Sequence, residues 1–476
     1  MLFNSLEFLI FFPVVTALYF AVGLRARWAV LVVASSLFYM VFIPEYIAII
    51  YATIAVDYCA GLVIERSSGR RRTAWLILSL AANIGALAVF KYFNFFIDNA
   101  NAITTALGIS TGFSHWEIVL PIGLSFHTFQ AMSYTIEVYR GTQRAERNLA
   151  VYALYVLFYP QLVAGPVERP QNILHQLHKI HAFDTQGAVH GLQIMLWGFF
   201  KKIVVADQLA RVVDVVYANP SDWSGPVLIV ATVAFAVQIY ADFSGYSDIA
   251  IGAAQVMGIR LMTNFRQPYL SRSVSEFWTR WHISLSSWFR DYVYVPLGGN
   301  RVGPLRHRFN LIFTFALSGL WHGANWTFAA WGCLNGAYLI AERELGLEKG
   351  RSWLRLAPTF LLITLSWVFF RARNVSEAVL VLRGMTRGLN DLARPLTLSR
   401  DFVAHSHLDA IGLATGVAGA GAVLAVDAWL SRKKLDVGEF LRQLPPVPRW
   451  ASYYFAGFAI TGLGYFGAQQ FIYFQF

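Results

Sequence analysis

The sequence predicts an all-α, polytopic integral membrane protein. Of its 476 residues, 57% are hydrophobic and 14% are charged, whereas soluble domains carry about 25% charged residues. The mean hydropathy is +0.49. Apolar stretches follow one another along the whole chain, and many approach the roughly 20 residues that a helix needs to cross a bilayer. We therefore expect roughly a dozen membrane-embedded helices, some of them re-entrant.

The expected elements are apolar stretches separated by more polar segments. In chain order they lie near residues 1–22, 28–43, 46–64, 74–97, 116–136, 148–164, 190–206, 226–251, 309–341, 355–370, 409–430 and 451–471. The less hydrophobic segments 165–189, 260–308, 371–408 and 431–450 are expected to supply loops or interfacial helices. No linker, low-complexity segment or repeat of fixed period divides the chain, so residues 1–476 are predicted to form a single integral-membrane domain.

The net charge of +11 is placed unevenly. Basic clusters follow the first apolar stretch, at Arg25 and Arg27, and the third, at residues 66–72. By the positive-inside rule, both clusters face the cytoplasm. No nucleic-acid-binding module is recognisable. Cys59 and Cys333 are far apart in apolar segments and have no metal-ligand spacing, so we expect neither a disulfide nor a metal site.

A histidine within an apolar segment is the main candidate for function. Residues 309–341 contain no Asp, Glu, Lys or Arg, and Gly319, Gly323 and Asn325 interrupt the segment near His322. Such a segment should lie in the bilayer and be bent or broken at the histidine. An ionisable group at that depth is either a functional residue or a core histidine hydrogen-bonded between helices, and both interpretations remain open.

The surroundings of His322 favour acyl-transfer chemistry over redox or metal chemistry. Apolar walls favour the neutral, proton-accepting imidazole, which suits a general base. The Asn325 side chain and the backbone N–H groups of the broken turn are potential donors to an oxyanion.

A second histidine lies in an aromatic, charged segment. Residues 272–291 alternate aromatic side chains with charges, which is typical of an amphipathic helix at the interface or along a polar cavity. His282 is expected to position an acyl donor or to exchange protons with His322, or else to be an interfacial residue with a hydrated tip. The arginines of residues 260–308 suit a phosphate-bearing ligand, although membrane topology alone would also place them there.

Two further polar groups have less specific interpretations. Asp242 and Asp248 end a long apolar stretch, and we favour structural pairing with an arginine such as Arg280 or Arg290 over a catalytic role. The histidines at positions 175, 178 and 181 lack the i, i+4 spacing and the carboxylate of a metal site, so a solvated basic face is expected.

Several motifs together resemble the membrane-bound O-acyltransferase family, in the branch that O-acetylates bacterial exopolysaccharides such as alginate. They are VLPIGLSFHTFQ (119–130), PQLVAGPV (160–167), DFSGYSD (242–248), the segment 277–299, LWHG (320–323) and the closing FIYFQF (471–476). The resemblance implies that His322 and His282 are the catalytic histidines. It also implies peripheral helices around a thin core, where a cytoplasmic tunnel meets an outward-facing funnel at the histidine.

The resemblance further implies where the protein lies in the cell and which reaction it catalyses. The place is the bacterial cytoplasmic (inner) membrane, crossed several times. Acetyl-CoA would be the donor, with no tightly bound cofactor, and the acceptor would be a polysaccharide or a periplasmic acetyltransferase partner. The side chains expected to contact substrate are Asn325, Trp321, Asp242, Arg280, Arg290 and Trp278.

Two other classes of protein would carry some of the same features. A transporter or channel also uses embedded Asp, His and broken helices, but this sequence lacks an inverted repeat. A scaffold that only recruits soluble enzymes would not depend on His322.

Overall fold

The computed structural model describes residues 1–23, 26–109, 112–162, 165–179, 181–347, 352–389, 410–467 and 471–472. Within these ranges every regular element is a helix, as the sequence predicts. Arg25, residues 163–164 of the second motif and residues 473–476 of the closing motif lie outside the described residues.

The first of two compact units comprises residues 1–192 and 250–262. Its helices are α1 (Leu6–Ala21), α2 (Arg27–Met40), α3 (Ile47–Arg66), α4 (Gly69–Leu87), α5 (Phe93–Ala106), α6 (Leu124–Arg140), α7 (Leu149–Leu157), α8 (Tyr159–Leu162) and α9 (Pro170–Leu177). A buried carboxylate joins α3 to α4, because Asp57 accepts hydrogen bonds from Ser79 Oγ at 2.6 Å and from Asn83 Nδ2 at 2.9 and 3.0 Å. These neutral donors satisfy an acidic group that would otherwise be costly to bury.

The second unit comprises residues 193–249 and 263–476. Two long helices, α10 (Thr185–Phe199) and α12 (Gly225–Val256), contain residues of both units. The remaining helices are α11 (Asp207–Ala218), α13 (Val274–Arg280), α14 (Ile283–Phe289), α15 (Pro304–His322), α16 (Trp326–Glu344), α17 (Leu356–Arg371), α18 (Val375–Gly384), α19 (Ala410–Lys433), α20 (Val437–Gln443) and α21 (Pro446–Phe458). That the whole chain acts as one domain stays a prediction.

Six helical stretches of the described chain are long and apolar enough to cross a membrane. They are Pro44–Arg66, Gly69–Ala106, Thr185–Ala218, Gly225–Val256, Trp353–Arg371 and Ala410–Lys433. The chain is therefore a multi-pass membrane protein, but a count of a dozen membrane-embedded helices is not confirmed. Helices α15 and α16, which carry the predicted 309–341 segment, are not among the six.

Helices α15 and α16 form a closely packed hairpin. A Cβ atom on Gly319 of α15 would lie 2.1 Å from the carbonyl oxygen of Phe328, and one on Gly332 of α16 would lie 2.1 Å from that of Phe315. No real Cβ fits at such distances, so both positions require glycine for the two backbones to approach this closely.

Candidate active site

His322 is the last residue of α15, at the break between the two helices of the hairpin. Gly323 is extended (φ −158°, ψ 147°) and ends α15, and Asn325 then caps α16 by accepting a hydrogen bond from Thr327 N at 3.0 Å. The break that the sequence predicts at the histidine is thus confirmed. It leaves the imidazole buried, with the rings of Trp331 and Phe370 each 5.3 Å away between centroids.

His282 occupies the turn between α13 and α14 in a left-handed backbone conformation. Its φ of 42° and ψ of 55° are unusual for a residue with a side chain. Asn264 fixes the turn, because its carbonyl accepts from Ile283 N at 2.9 Å and its Oδ1 accepts from Ser284 Oγ at 2.6 Å. Asn264 Nδ2 in turn donates to Ser247 Oγ on α12 at 3.1 Å. The backbone strain at His282 is therefore held by a network that anchors the turn to α12.

The fold brings the two predicted catalytic histidines into one cavity. Their ring centroids are 6.5 Å apart, and both side chains line a cavity of about 420 Å³. The Phe243 ring lies 4.5 Å from the His282 ring and nearly perpendicular to it. The two histidines that the sequence singles out are therefore neighbours in the folded protein.

Burial sets the protonation state of His282. The residue lies outside the six candidate spans and is 1% exposed. Desolvation lowers the pKa of the His282 imidazole to about 3, because burial penalises the charged form. The ring is therefore neutral near pH 7 and able to accept a proton or a hydrogen bond.

The cavity follows one face of α15 from His322 to a basic, exposed end. His307, Leu311, Thr314, Ser318 and His322 all line it, at the three- and four-residue spacings that place side chains on one helix face. The helix rises about 22 Å between His307 and His322.

Basic residues surround the far end of this cavity. His307 contacts the Tyr294 hydroxyl at 2.9 Å and the Arg343 guanidinium at 3.0 Å, and the exposed side chains of Arg343 and Arg290 also line the cavity. The sequence alone did not single out His307 or Arg343. The position of His307 on the same face of the helix as His322 was the signal that could have found it.

The residues expected to contact substrate fall into two groups. Trp278 and Arg290 line the cavity, and the Trp321 ring lies 4.9 Å from that of His322. Arg280 and Asn325 are not among the lining residues. Arg280 pairs with Glu276, and Asn325 Nδ2 donates to the Arg373 carbonyl at 2.8 Å.

Asp242, the remaining predicted contact, is part of a buried ion network. Lys202 Nζ lies 2.9 Å from Asp242 and 2.8 Å from Asp207, and Lys201 Nζ lies 2.6 Å from Asp248. The prediction of an arginine partner is therefore wrong.

The true partners are two lysines of the π-helical segment Phe200–Ala206, which follows α10. Arg290, the other proposed arginine, pairs with Asp291. These partners could have been predicted from the adjacent pair Lys201 and Lys202. Both lie inside the apolar stretch 190–206, where two cations require nearby carboxylates.

The three histidines near α9 contact three different groups. His175 Nδ1 lies 2.9 Å from the Gln171 carbonyl, His178 Nε2 lies 2.7 Å from Glu146, and His181 Nε2 lies 2.8 Å from the Gln176 carbonyl. They therefore do not converge on a common point.

The chain matches one protein family model and is similar in sequence to several known proteins. The model of the MBOAT, membrane-bound O-acyltransferase family, matches residues 138–347, which include both cavity histidines. The chain is 42% identical over 387 residues to the probable alginate O-acetylase AlgI of Pseudomonas putida, covering 79% of each chain. It is 36% identical to the peptidoglycan O-acetyltransferase of Helicobacter pylori over 76% of this chain and 74% of the relative. It is 28% identical to the teichoic acid D-alanyltransferase of Streptococcus thermophilus over 57% of this chain and 69% of the relative.

Proposed function

The chain belongs to the membrane-bound O-acyltransferase family, and we propose that it moves an acetyl group from cytoplasmic acetyl-CoA to an extracytoplasmic acceptor, for O-acetylation of a polysaccharide such as alginate. The acyltransferase class follows from the family and from relatives whose names describe acyl transfer. Acetyl is favoured because relatives at 42% and 36% identity are named as an acetylase and an acetyltransferase. The membrane is the bacterial cytoplasmic membrane.

The proposal rests on the pair of buried histidines, which share one cavity whose far end is lined by basic residues. In the proposed reaction, an acceptor hydroxyl gives its proton to the His322 imidazole while its oxygen attacks the thioester carbonyl carbon. The carbon–sulfur bond breaks, and the thiolate leaves and takes up the proton. His282 orients the acceptor or shares the proton. The far end, with Arg290 and Arg343, suits the phosphates of the donor.

The acceptor is the polysaccharide itself or a hydroxyl of a periplasmic acetyltransferase that modifies the polymer afterwards. Both acceptors present the same nucleophile to the cavity.

Replacement of His322 tests the proposed reaction. We expect H322Q to remove acetyl ester from the secreted polymer while the protein remains in the membrane at its wild-type level. H175Q is the matched control, because His175 is an exposed histidine on α9. Wild-type ester content in the H322Q strain would refute the role of His322.

Purified protein reconstituted into liposomes, with acetyl-CoA labelled in the acetyl group, tests the donor. Wild-type protein should release free CoA thiol together with labelled acetyl, and H322Q should not. If the thioester stays whole while label crosses the membrane, the chain is a transporter and the proposal fails.

A further inference from the structure

A small basic cavity in the first unit lies outside the machinery of acyl transfer. Its volume is about 140 Å³, and its lining includes Tyr19, Arg27, Trp28, His178 and Lys179. These residues come from the end of α1, the start of α2 and the segment just after α9, so the fold gathers them from distant parts of the sequence. Convergence of basic side chains on a cavity is the pattern expected of a phosphate-binding site.

Arg27 is held rigidly at one side of this cavity. Its guanidinium stacks on the rings of Tyr19, at 4.9 Å, and Phe20, at 5.2 Å, and Nη1 donates to the His181 carbonyl. Arg27 thus fixes a positive charge in the cavity wall, and a guanidinium suits the oxygens of a phosphate.

The other charges around the cavity leave it positive. Lys179 is exposed and forms no ion pair within the part of the chain that the structure describes. The carboxylate of Glu146 lies 2.7 Å from His178 Nε2 and is hydrogen-bonded to that imidazole. Two cations, Arg27 and Lys179, therefore face the cavity without a carboxylate of their own.

The position of the cavity points to a lipid as the source of the phosphate. Helices α1 and α2 are short apolar helices whose outer faces expose large hydrophobic side chains. These include Leu9, Val14, Leu18, Val33 and Leu37, each at least 49% exposed. The cavity lies where these two faces end, and Trp28, which is 38% exposed, lies at that boundary. Acyl chains alongside α1 and α2 would thus bring a headgroup to Arg27.

We propose that this cavity binds the phosphate of an anionic phospholipid headgroup. The phosphate oxygens would accept from the Arg27 guanidinium and from the Lys179 ammonium, while the acyl chains lie against α1 and α2. The site would fix the start of α2 to the end of α9. It does not depend on the proposed acyltransferase function.

Thermal unfolding of the full-length protein in a neutral detergent tests this site. Dioctanoyl phosphatidylglycerol should raise the unfolding midpoint, and dioctanoyl phosphatidylcholine should not. K179Q should weaken the apparent affinity for phosphatidylglycerol about fivefold, the loss expected for one cation at an anionic lipid. R27Q/K179Q should abolish the rise. If the double variant does not fold, K179Q alone still tests the site. The Lys179 side chain is exposed, so its replacement should not affect folding.

R70Q/R71Q is the matched control, since it removes two exposed positive charges at the start of α4. It should respond to phosphatidylglycerol as the wild type does. An equal response in K179Q and the wild type, or an equal effect of the two lipids, would overturn the proposal. A midpoint rise with inorganic phosphate alone, again lost in K179Q, would overturn the lipid as the source and assign the cavity to a soluble phosphate.

Discussion

At the scale of single residues, the candidate site depends on the burial and orientation of two imidazoles. His322 is set by the end of a helix, whereas His282 is set by a strained turn that Asn264 holds in place. The sequence identified both histidines, because ionisable groups among apolar and aromatic residues are uncommon. It gave no sign of Asn264, since the role of that residue arises from contacts with distant parts of the chain.

Asn264 should act as a positioning residue for His282. N264A removes the hydrogen bonds from Ser284 and to Ser247, so the imidazole is expected to shift and kcat to fall about tenfold to hundredfold. The KM for acetyl-CoA should stay close to that of the wild type. N264D, which keeps the acceptor oxygen for Ser284, should recover part of the loss.

N335A is the control for this prediction. Asn335 is equally buried, but its Nδ2 donates to the Trp331 carbonyl of its own helix. The expected kcat of N335A is that of the wild type. A fall of equal size in the two alanine variants would indicate a general loss of packing instead of a positioning role.

His282 should also make stability depend on pH. Its pKa is about 3 in the folded protein against a usual 6.5, so below pH 6.5 the unfolded chain binds the proton and the folded chain does not. Stability is therefore complete above pH 6.5 and falls as the pH is lowered toward 3, with a loss of about 2 kcal/mol between pH 6.5 and 5. Unfolding midpoints measured from pH 8 to 5 should fall more steeply for the wild type than for H282Q. Parallel curves would contradict this assignment.

At the scale of elements, the hairpin of α15 and α16 links helix packing to the site. The small side chains within the 309–341 segment predicted a break, and the structure places that break at Gly323. The same segment also carries the close contacts at Gly319 and Gly332, which the sequence alone did not indicate. A glycine that allows two backbones to approach cannot be told from a glycine that ends a helix until both helices are placed.

G332A should therefore destabilise the protein. The added Cβ would lie 2.1 Å from the Phe315 carbonyl oxygen, and overpacking of this kind costs about 1–3 kcal/mol. The unfolding midpoint in detergent measures the effect. G85A on α4 is the control, because a Cβ there meets nothing within 4 Å. If G332A unfolds at the wild-type temperature, the backbones of α15 and α16 do not approach each other closely at Gly332.

At the scale of the whole molecule, the distribution of charge predicts the orientation in the membrane. Residues 66–72 follow the candidate span Pro44–Arg66 and carry four arginines. The positive-inside rule places this connection in the cytoplasm and the other end of the span, near Glu45, outside it.

Cysteine labelling tests this orientation. In a background with Cys59 and Cys333 replaced by alanine, S68C should react with a membrane-impermeant maleimide only after the cytoplasmic membrane is permeabilised. E45C should react in intact spheroplasts, and both positions are exposed. The reverse labelling pattern would invert the predicted topology.

The sequence by itself determined the helical fold class, the membrane setting, the family and both histidines. These properties follow from composition, from local periodicity and from motifs that are contiguous in the chain. Only the tertiary structure decided that the two histidines share one cavity and that His307 and Arg343 line its far end. It also decided that lysines, not arginines, neutralise Asp242 and Asp248. The physical reason is that pairing and enclosure depend on which distant side chains approach one another, and the order of residues along the chain does not specify those distances.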